Sequence, residues 1–515
     1  MAYLVMNGLN SGNGSLRDGI DNGFTIITFD PTVTTINITS ELLVDTNGIS
    51  IDGGPLGVTV DAGGNPGPIF HVVNVTGIIF LNLVIRNTLL GLLPVPGAVF
   101  VENSTVNIFN CTIENNNAGG GIQTISSDVT ISYSNISNNI AGLRGGIYIG
   151  TGSILRLLHC LVNENLATNG AGIFVDANGN LVIQNSTIAN NQATSSGGGI
   201  YCLGEGFITN ATISGNQAAA SGGGIRFDAG VATGLLTIGN TIIAENMAPA
   251  GPDVFGVITS VGYNLVGNNL GSGGFGVMGD QVGTPQNPID PELAPLANNG
   301  GPTFTMGLMA QSPAINTGSI ALLPPPPEDE FDQRGPGFPR VINGGVDIGA
   351  FEFVAAVICY GGGSILMVRN RLTGEESKMP VKDIVAANYD VYSISQNKFV
   401  PIRSNVVTGT VNRLIKIDAD SLGKDQPILD FNITSGHRLV VNGLEIKARH
   451  LPQAKRIKVK PQYVYSICTD KRCTIWVNGL EVMTWSYQKW LSRAASKGIS
   501  WMENSPQKRL GLQEI

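Results

Sequence analysis

Between Cys111 and Phe227 the chain repeats one arrangement of apolar and polar positions. The segments "CTIENNNAGGGIQT", "NISNNIAGLRGGIYI", "LVNENLATNGAGIFV", "STIANNQATSSGGGIYC" and "ATISGNQAAASGGGIRF" share one grammar: a β-branched run, an asparagine, a polar turn, a glycine-rich bend and another β-branched run. The isoleucine after the glycines falls at Ile122, Ile147, Ile173, Ile200 and Ile225, at spacings of 25, 26, 27 and 25 residues. A fixed period of that length marks a repeat architecture, and the lack of helical periodicity marks strands. Each repeat is predicted to be one coil of a three-sheet parallel β-helix, its three short strands stacked on their counterparts at about 4.8 Å.

In such a stack like residues stand over like. Three places after the aligned β-branched position come Asn116, Asn139, Asn165, Asn191 and Asn216, with Asn246 in line behind them. These are predicted to form a ladder whose side-chain amides bond from coil to coil. The glycines are expected to make the tight bend through φ > 0.

After Phe353 the pattern changes to strands of varied length with no period, such as "NKFVPIRSNVVTGTV", "HRLVVNGLEIKA" and "YVYSICTDKRCTIWVNGLEVMTW". That reads as a compact, irregular all-β domain of about 130 residues. The expected organisation is coils with an N-terminal cap over 1–250, a closing segment over 251–353, the compact domain over 354–486 and a short helical tail over 487–515. In the tail, Trp490, Leu491, Ala494 and Ala495 fall near helical spacing.

Composition agrees with an all-β chain: 42% hydrophobic, 13% charged and 68 glycines in 515 residues are too apolar for disorder and too glycine-rich for helices. Charge divides the chain at the same frontier. Residues 1–355 hold 7 Arg, no Lys and 25 acids (7 − 25 = −18), whereas 356–515 hold 23 basic and 13 acidic side chains (23 − 13 = +10). The basic residues are not interleaved with aromatics along one element, so no nucleic-acid interface is expected. No apolar run reaches the length of a membrane helix. The N-terminus lacks a basic stretch followed by an apolar one, so assembly without a secretory leader is expected. Six cysteines are too few for a disulfide scaffold.

Two flanks carry a family resemblance. "NSGNGSLRDGIDNGFTIITFD" near the start, and "SVGYNLVGNNLG", "IDPELAPLANNGGPTFTMGLMAQSPAINTGS" and "DQRGPGFPRVINGGVDIGAFEF" toward residue 353, resemble the right-handed β-helix proteins related to polymorphic outer-membrane proteins. The resemblance implies a right-handed solenoid with a cap and a closing segment. It implies no single activity, because the architecture hosts adhesins, tail spikes and polysaccharide lyases.

A carbohydrate enzyme on this scaffold needs clustered carboxylates. Asp128, Asp176 and Asp228 are isolated, and His71 and His159 have no acidic neighbours in sequence. A polysaccharide lyase or hydrolase is therefore the alternative to a binding or structural role. Nine Asn-x-Ser/Thr sequons, at Asn13, Asn37, Asn74, Asn103, Asn110, Asn135, Asn185, Asn210 and Asn432, read either as glycan sites or as a by-product of a repeat built from Asn, Ser and Thr.

In the second domain Cys359 stands first, "GGGSILM" follows, then "MPVKDIVAANYDVYSIS", then "ITSGHRLVV" with Thr434 and His437. That order, over about residues 357–486, resembles Hint domains, the fold of inteins and hedgehog autoprocessing domains. The resemblance implies that Cys359 is a nucleophile on the Ile358 carbonyl, His437 the acid for the departing nitrogen and Thr434 its helper. The domain ends "EVMTWSYQKW" instead of His-Asn before Cys, Ser or Thr, which argues against splicing. A dormant Hint fold serving as a structural module is the alternative. Cys468 and Cys473 in "CTDKRC" are a hairpin disulfide or two free thiols, and with only His437 and His450 to join them no metal site is expected.

The sequence thus predicts a virion or cell-surface structural protein, a β-helix rod joined to a Hint-type autoprocessing or anchoring domain. No cofactor is expected. The expected partners are other structural or surface proteins and glycans.

Overall fold

The computed structural model describes residues 2–89, 96–117, 119–228, 234–309, 311–323, 330–342, 344–353, 360–361, 364–418, 431–433, 438–441, 444–448, 451–469, 474–477, 480–483, 485–486 and 502–503. The chain divides into two units, Met1–Phe353 and Val354–Ile515.

The first unit is a stack of coils. One coil runs Asp128–Ser132, Asn135–Ser137 and Ile147–Ile149; the next runs Ile154–Leu158, Leu161–Asn163 and Ile173–Val175. Each strand pairs in parallel with its counterpart, Val129 with Leu155, Ile136 with Val162 and Ile147 with Ile173. Repetition gives three parallel sheets of eleven, ten and eleven strands among the described residues, with a three-stranded sheet beside them. The isoleucines that follow the glycines pair in one column, Ile122 to Ile147 to Ile173 to Ile200 to Ile225. Their side chains are fully buried, with Val129, Ile136, Leu155 and Val162 completing the interior. Strands alternate inward and outward, so the period-2 pattern fills the stack with apolar groups and leaves polar ones outside.

The bends explain the asparagine-rich composition. Asn74, Asn103, Asn110, Asn185 and Asn210, all sequon residues, have φ of 56°, 47°, 51°, 47° and 51°. Asparagine enters this left-handed region more readily than other non-glycine residues. Not every bend glycine is there for its φ, contrary to expectation. Gly197 does have φ 68°. At Gly199, which is not among the positive-φ glycines, a Cβ would instead lie 2.6 Å from the Gly224 carbonyl oxygen and 3.2 Å from the Asn216 amide. Glycine is needed there because the next coil's backbone and a buried amide occupy the space.

An N-terminal helix, Leu16–Asp21, is capped by Ser15 and buries Leu16 and Ile20. At the other end, strands such as Val254–Val257 and Leu265–Val266 extend the stack. The described residues of 289–353 then lie along its side. Leu293, Met306, Leu308, Ala314 and Ile348 pack on the outward-facing Ala189 and Ala244 with Ile242 and Leu265. Polar contacts fix this strap over several coils. Gln333 Nε2 donates to the Cys160 carbonyl at 3.1 Å, Thr187 Oγ1 donates to Gln333 Oε1 at 2.5 Å, and Ala350 N donates to Thr212 Oγ1 at 3.0 Å. No described helix is long and apolar enough to cross a membrane.

Among its described residues the second unit is built of mainly antiparallel strands, with two short 3-10 turns at Val381–Asp383 and Ala386–Asn388. Its longest strands, Lys398–Ile417 and Lys455–Thr469, pair antiparallel with three register shifts. Leu366, Val368, Val391, Ile402, Ile415, Ile433, Leu439, Ile475 and Val477 form its core.

Candidate functional site

The ladder asparagines are all buried and bonded in series. Nδ2 of Asn116 donates to Oδ1 of Asn139 at 3.0 Å, Asn139 to Asn165 at 3.0 Å, and Asn165 to Asn191, Asn191 to Asn216 and Asn216 to Asn246 at 2.9 Å each. The same oxygens also accept the backbone N–H of the preceding asparagine, at 3.0 to 3.2 Å. The second amide hydrogen turns back to a strand carbonyl of the coil before: Asn139 to Ile113, Asn165 to Ile136 and Asn191 to Val162. Every donor and acceptor of the amide is used, which a buried amide requires.

A second series, missed in the sequence, runs through the small residue two places after a strand of the first sheet. Leu83 N donates to Cys111 Sγ at 3.4 Å, Cys111 N to Ser134 Oγ at 3.0 Å and Cys160 N to Ser186 Oγ at 2.9 Å. Cys111 and Cys160 stand where other coils have serine, and burial pushes both thiols up to about 12. The alignment of Cys111, Ser134, Cys160 and Ser186 was the available signal. These thiols, with Cys202, are free and buried, which keeps them from being nucleophiles.

The surface feature with chemistry is an outward row on the ten-stranded sheet. His71 pairs with Phe100, Phe100 with Gln123 and Gln123 with Tyr148. The row continues through Phe174 and Tyr201 to Arg226 and Phe255. Two guanidiniums lie in it. Arg144 Cζ is 4.5 Å from the Tyr148 ring centroid and 5.1 Å from that of Phe174, with Nη1 3.5 Å from Asp176. Arg226 Cζ is 5.3 Å from Tyr201 and 5.0 Å from Phe255, with Nε 2.8 Å from Asp228. Tyr148 and Tyr201 donate their hydroxyls to these aspartates at 2.7 Å each. Burial, and then the aspartate bond, pushes the Tyr148 phenol up to about 12, so it stays a donor.

The acids that stand alone in sequence are thus paired in space: Asp128 with Arg156, Asp176 with Arg144 and Asp228 with Arg226. His71, without acidic neighbours along the chain, has Glu41 at 3.5 Å and Glu102 at 3.3 Å, brought by the coils on either side. His159 is buried; its Nδ1 lies 2.8 Å from the Asp332 carbonyl in the strap, and burial pulls its pKa down. Among the described residues no group of three His, Cys, Asp or Glu is arranged to hold a metal.

Ile358, Cys359, Thr434, His437, His450 and Cys473 lie outside the described residues, as does the region read as a helical tail apart from Met502–Glu503. Their chain neighbours are described. Tyr360, directly after Cys359, pairs antiparallel with Ile433, directly before Thr434. Tyr360 also pairs with Tyr465 on its other side.

Residues 69–270 match the family described as a right handed beta helix region. No curated protein matches the chain. Among solved structures, the DnaB intein from Synechocystis sp. PCC 6803 is 10% identical over 25% of this chain and 99% of its own, with a TM-score of 0.19. A mutant of the Ssp DnaB mini-intein is 11% identical over 25% and 99%, at 0.18. Pectate lyase Pel9A is 16% identical over 68% of this chain and 96% of its own, at 0.41. Family match and stacked parallel sheets agree on the architecture: the first unit is a right-handed parallel β-helix.

Proposed function

We propose that the chain is a structural and recognition protein of a virion or cell surface, whose β-helix is a rod and whose second unit is a Hint-type autoprocessing or anchoring domain. In this reading the Cys359 thiolate attacks the Ile358 carbonyl. The C–N bond breaks as a C–S bond forms, and His437 delivers the proton that the departing Cys359 nitrogen needs. Thr434 holds the scissile peptide. An added thiol or hydroxylamine then takes the acyl group and separates the units.

The observation that carries the reading is the Tyr360–Ile433 pairing, which sets the strand leaving position 359 beside the strand entering position 434. The rod side is supported by acids committed to arginines, as at Asp128 and Asp228. Other structural or surface proteins and glycans are the partners this implies. Intact-mass analysis of folded protein treated with hydroxylamine tests it. The expected products are fragments of 358 and 515 − 358 = 157 residues, absent from Cys359→Ala and slowed in His437→Ala. An intact chain after prolonged treatment contradicts autoprocessing and leaves the anchoring role.

A further inference from the structure

Where the strap ends, five ionisable side chains meet out of reach of water. Asp332, Arg334, Arg340, Asp347 and Glu352 are 0%, 6%, 0%, 1% and 1% exposed. Three carboxylates thus share the interior with two guanidiniums, and fully ionised they would leave one negative charge where burial disfavours any.

The hydrogen bonds distinguish the three acids. Asp332 accepts the Arg334 guanidinium at 2.5 to 3.1 Å through both oxygens, the Arg334 N–H at 2.9 Å and the Glu352 N–H at 2.8 Å. Asp347 accepts the N–H of Asn316 at 2.7 Å and that of Phe353 at 2.5 Å. Glu352 accepts the Asp347 N–H at 3.0 Å and, among the described residues, no guanidinium. Arg340 Nη2 goes instead to Asn210 Oδ1 and to the Asp347 and Gly349 carbonyls. From the coils His159 faces Asp332, with Tyr133 stacked behind its ring. Hydrogen bonds donated to a carboxylate favour its charge, and of the three Glu352 has the least such support.

We propose that Glu352 is a protonated acid in the closed protein and that its ionisation unlatches residues 345–353 from the coils, making the end of the strap a pH-operated cover. That segment holds the coils through Gly349 N on the Asn240 carbonyl at 2.8 Å and Ala350 N on Thr212 Oγ1 at 3.0 Å, beside the Arg340 bond to Asn210. A charge on Glu352, next to that of Asp347, sets repulsion against those bonds. Release uncovers Ile242 and Ala244, with which Ile348 packs. The rod then presents one side in mildly acidic surroundings and another in mildly alkaline ones, which goes beyond a fixed recognition surface.

The direction follows from linkage. Burial, and then the Asp347 charge, raises Glu352 well above its ordinary 4.5, so the latch is fully stabilised at low pH and loses that stabilisation as pH rises through the folded value. His159, pulled down by burial, works the other way and favours closure above 6.5.

The test is hydrogen exchange of the full chain read by mass spectrometry at pH 6.5 and pH 8.5, each rate divided by the intrinsic rate at that pH. Protection of residues 345–353 is expected to fall at least about tenfold at pH 8.5 and to lie there below that of the peptide around Asn191. Glu352→Gln keeps an acceptor for the Asp347 N–H and cannot ionise, so in it the fall should be less than about threefold. At pH 8.5 that variant should melt at or above the wild-type temperature. Glu330→Gln, which removes an exposed carboxylate of the strap, should leave the fall as it is in the wild type. The latch is overturned by constant protection in the wild type, by a fall that persists in Glu352→Gln, or by a Glu352→Gln melt below the wild type at pH 8.5. Exchange of residues 345–353 together with the Asn191 peptide at pH 8.5 overturns it too, since the rod would then open as a whole.

Discussion

The Asn246 amide donates to Asp253 Oδ1 at 3.0 Å, and with that bond the asparagine ladder ends on a carboxylate. The Asn246 backbone N–H reaches the same oxygen at 3.1 Å, and Asn268 N reaches Oδ2 at 2.7 Å. The last rung needs an acceptor and no donor, which a carboxylate supplies. Burial opposes the charge and lifts Asp253 from 3.8 to about 6 despite these bonds.

Asp253 therefore makes the stability of the first unit depend on pH. Between 3.8 and about 6 the folded chain binds more protons than the unfolded one, so the stabilisation is full below that window and lost as pH rises through it. The size is about 3 kcal/mol. Asp347, lifted to about 6, and Glu352, raised well above its ordinary value, act in the same direction, burial being the first cause for both. Thermal melts are expected to move down from pH 5 to pH 7.5, and Asp253→Asn, which keeps the acceptor, should shrink that change. A transition that rises over the same range contradicts the assignment.

Asn191→Ala removes the acceptor of the Asn165 amide and N–H and the donor to the Val162 carbonyl. A cost of about 1–3 kcal/mol is expected in denaturant melts. Ile173→Asp, at a fully buried position in the isoleucine column, should cost several kcal/mol and unfold the coils around it. Equal effects from the two variants would contradict the inward placement of Ile173.

Cys160 lies in a series otherwise made by serine. Cys160→Ser should cost less than about 1 kcal/mol, because the hydroxyl can make the same bonds to the Leu158 and Ile131 carbonyls. In the folded protein Cys111, Cys160 and Cys202 should resist a thiol reagent, since burial holds all three near 12. Rapid labelling of any of them under native conditions contradicts their placement.

Gln333 ties the strap to two coils at once. Gln333→Ala should lower stability by about 1–3 kcal/mol and expose residues 289–353 to limited proteolysis before the coils are cut. Simultaneous cleavage of strap and coils would show that the two open together.

The coils were legible because stacking forces each position to repeat its residue type, as at Ile147, Ile173, Ile200 and Ile225. The ladder positions follow from that repetition. Its end does not, since Asp253 lies only seven residues after Asn246 and breaks the spacing. Gly199 shows a second limit: the motif gives the glycine, but the reason for it is the Asn216 amide and the Gly224 carbonyl of the coil above. Contacts made across many coils are hidden from any local reading, as with His159 and Asp332 or the Glu41 and Glu102 carboxylates around His71. In the second unit, order along the chain pointed to Cys359, Thr434 and His437, and the pairing of Tyr360 with Ile433 is the described contact nearest to them.

The account rests on the first unit being one rod locked by buried amides, and hydrogen exchange read by mass spectrometry tests that most directly. The N–H groups of Asn139, Asn165, Asn191 and Asn216 donate to buried side-chain oxygens at 3.0 Å. Peptides spanning them are expected to exchange slowly and together, at the rate of global unfolding. Exchange of the ladder peptides as fast as the exposed turn at Asn178 would contradict a rod held by its asparagines.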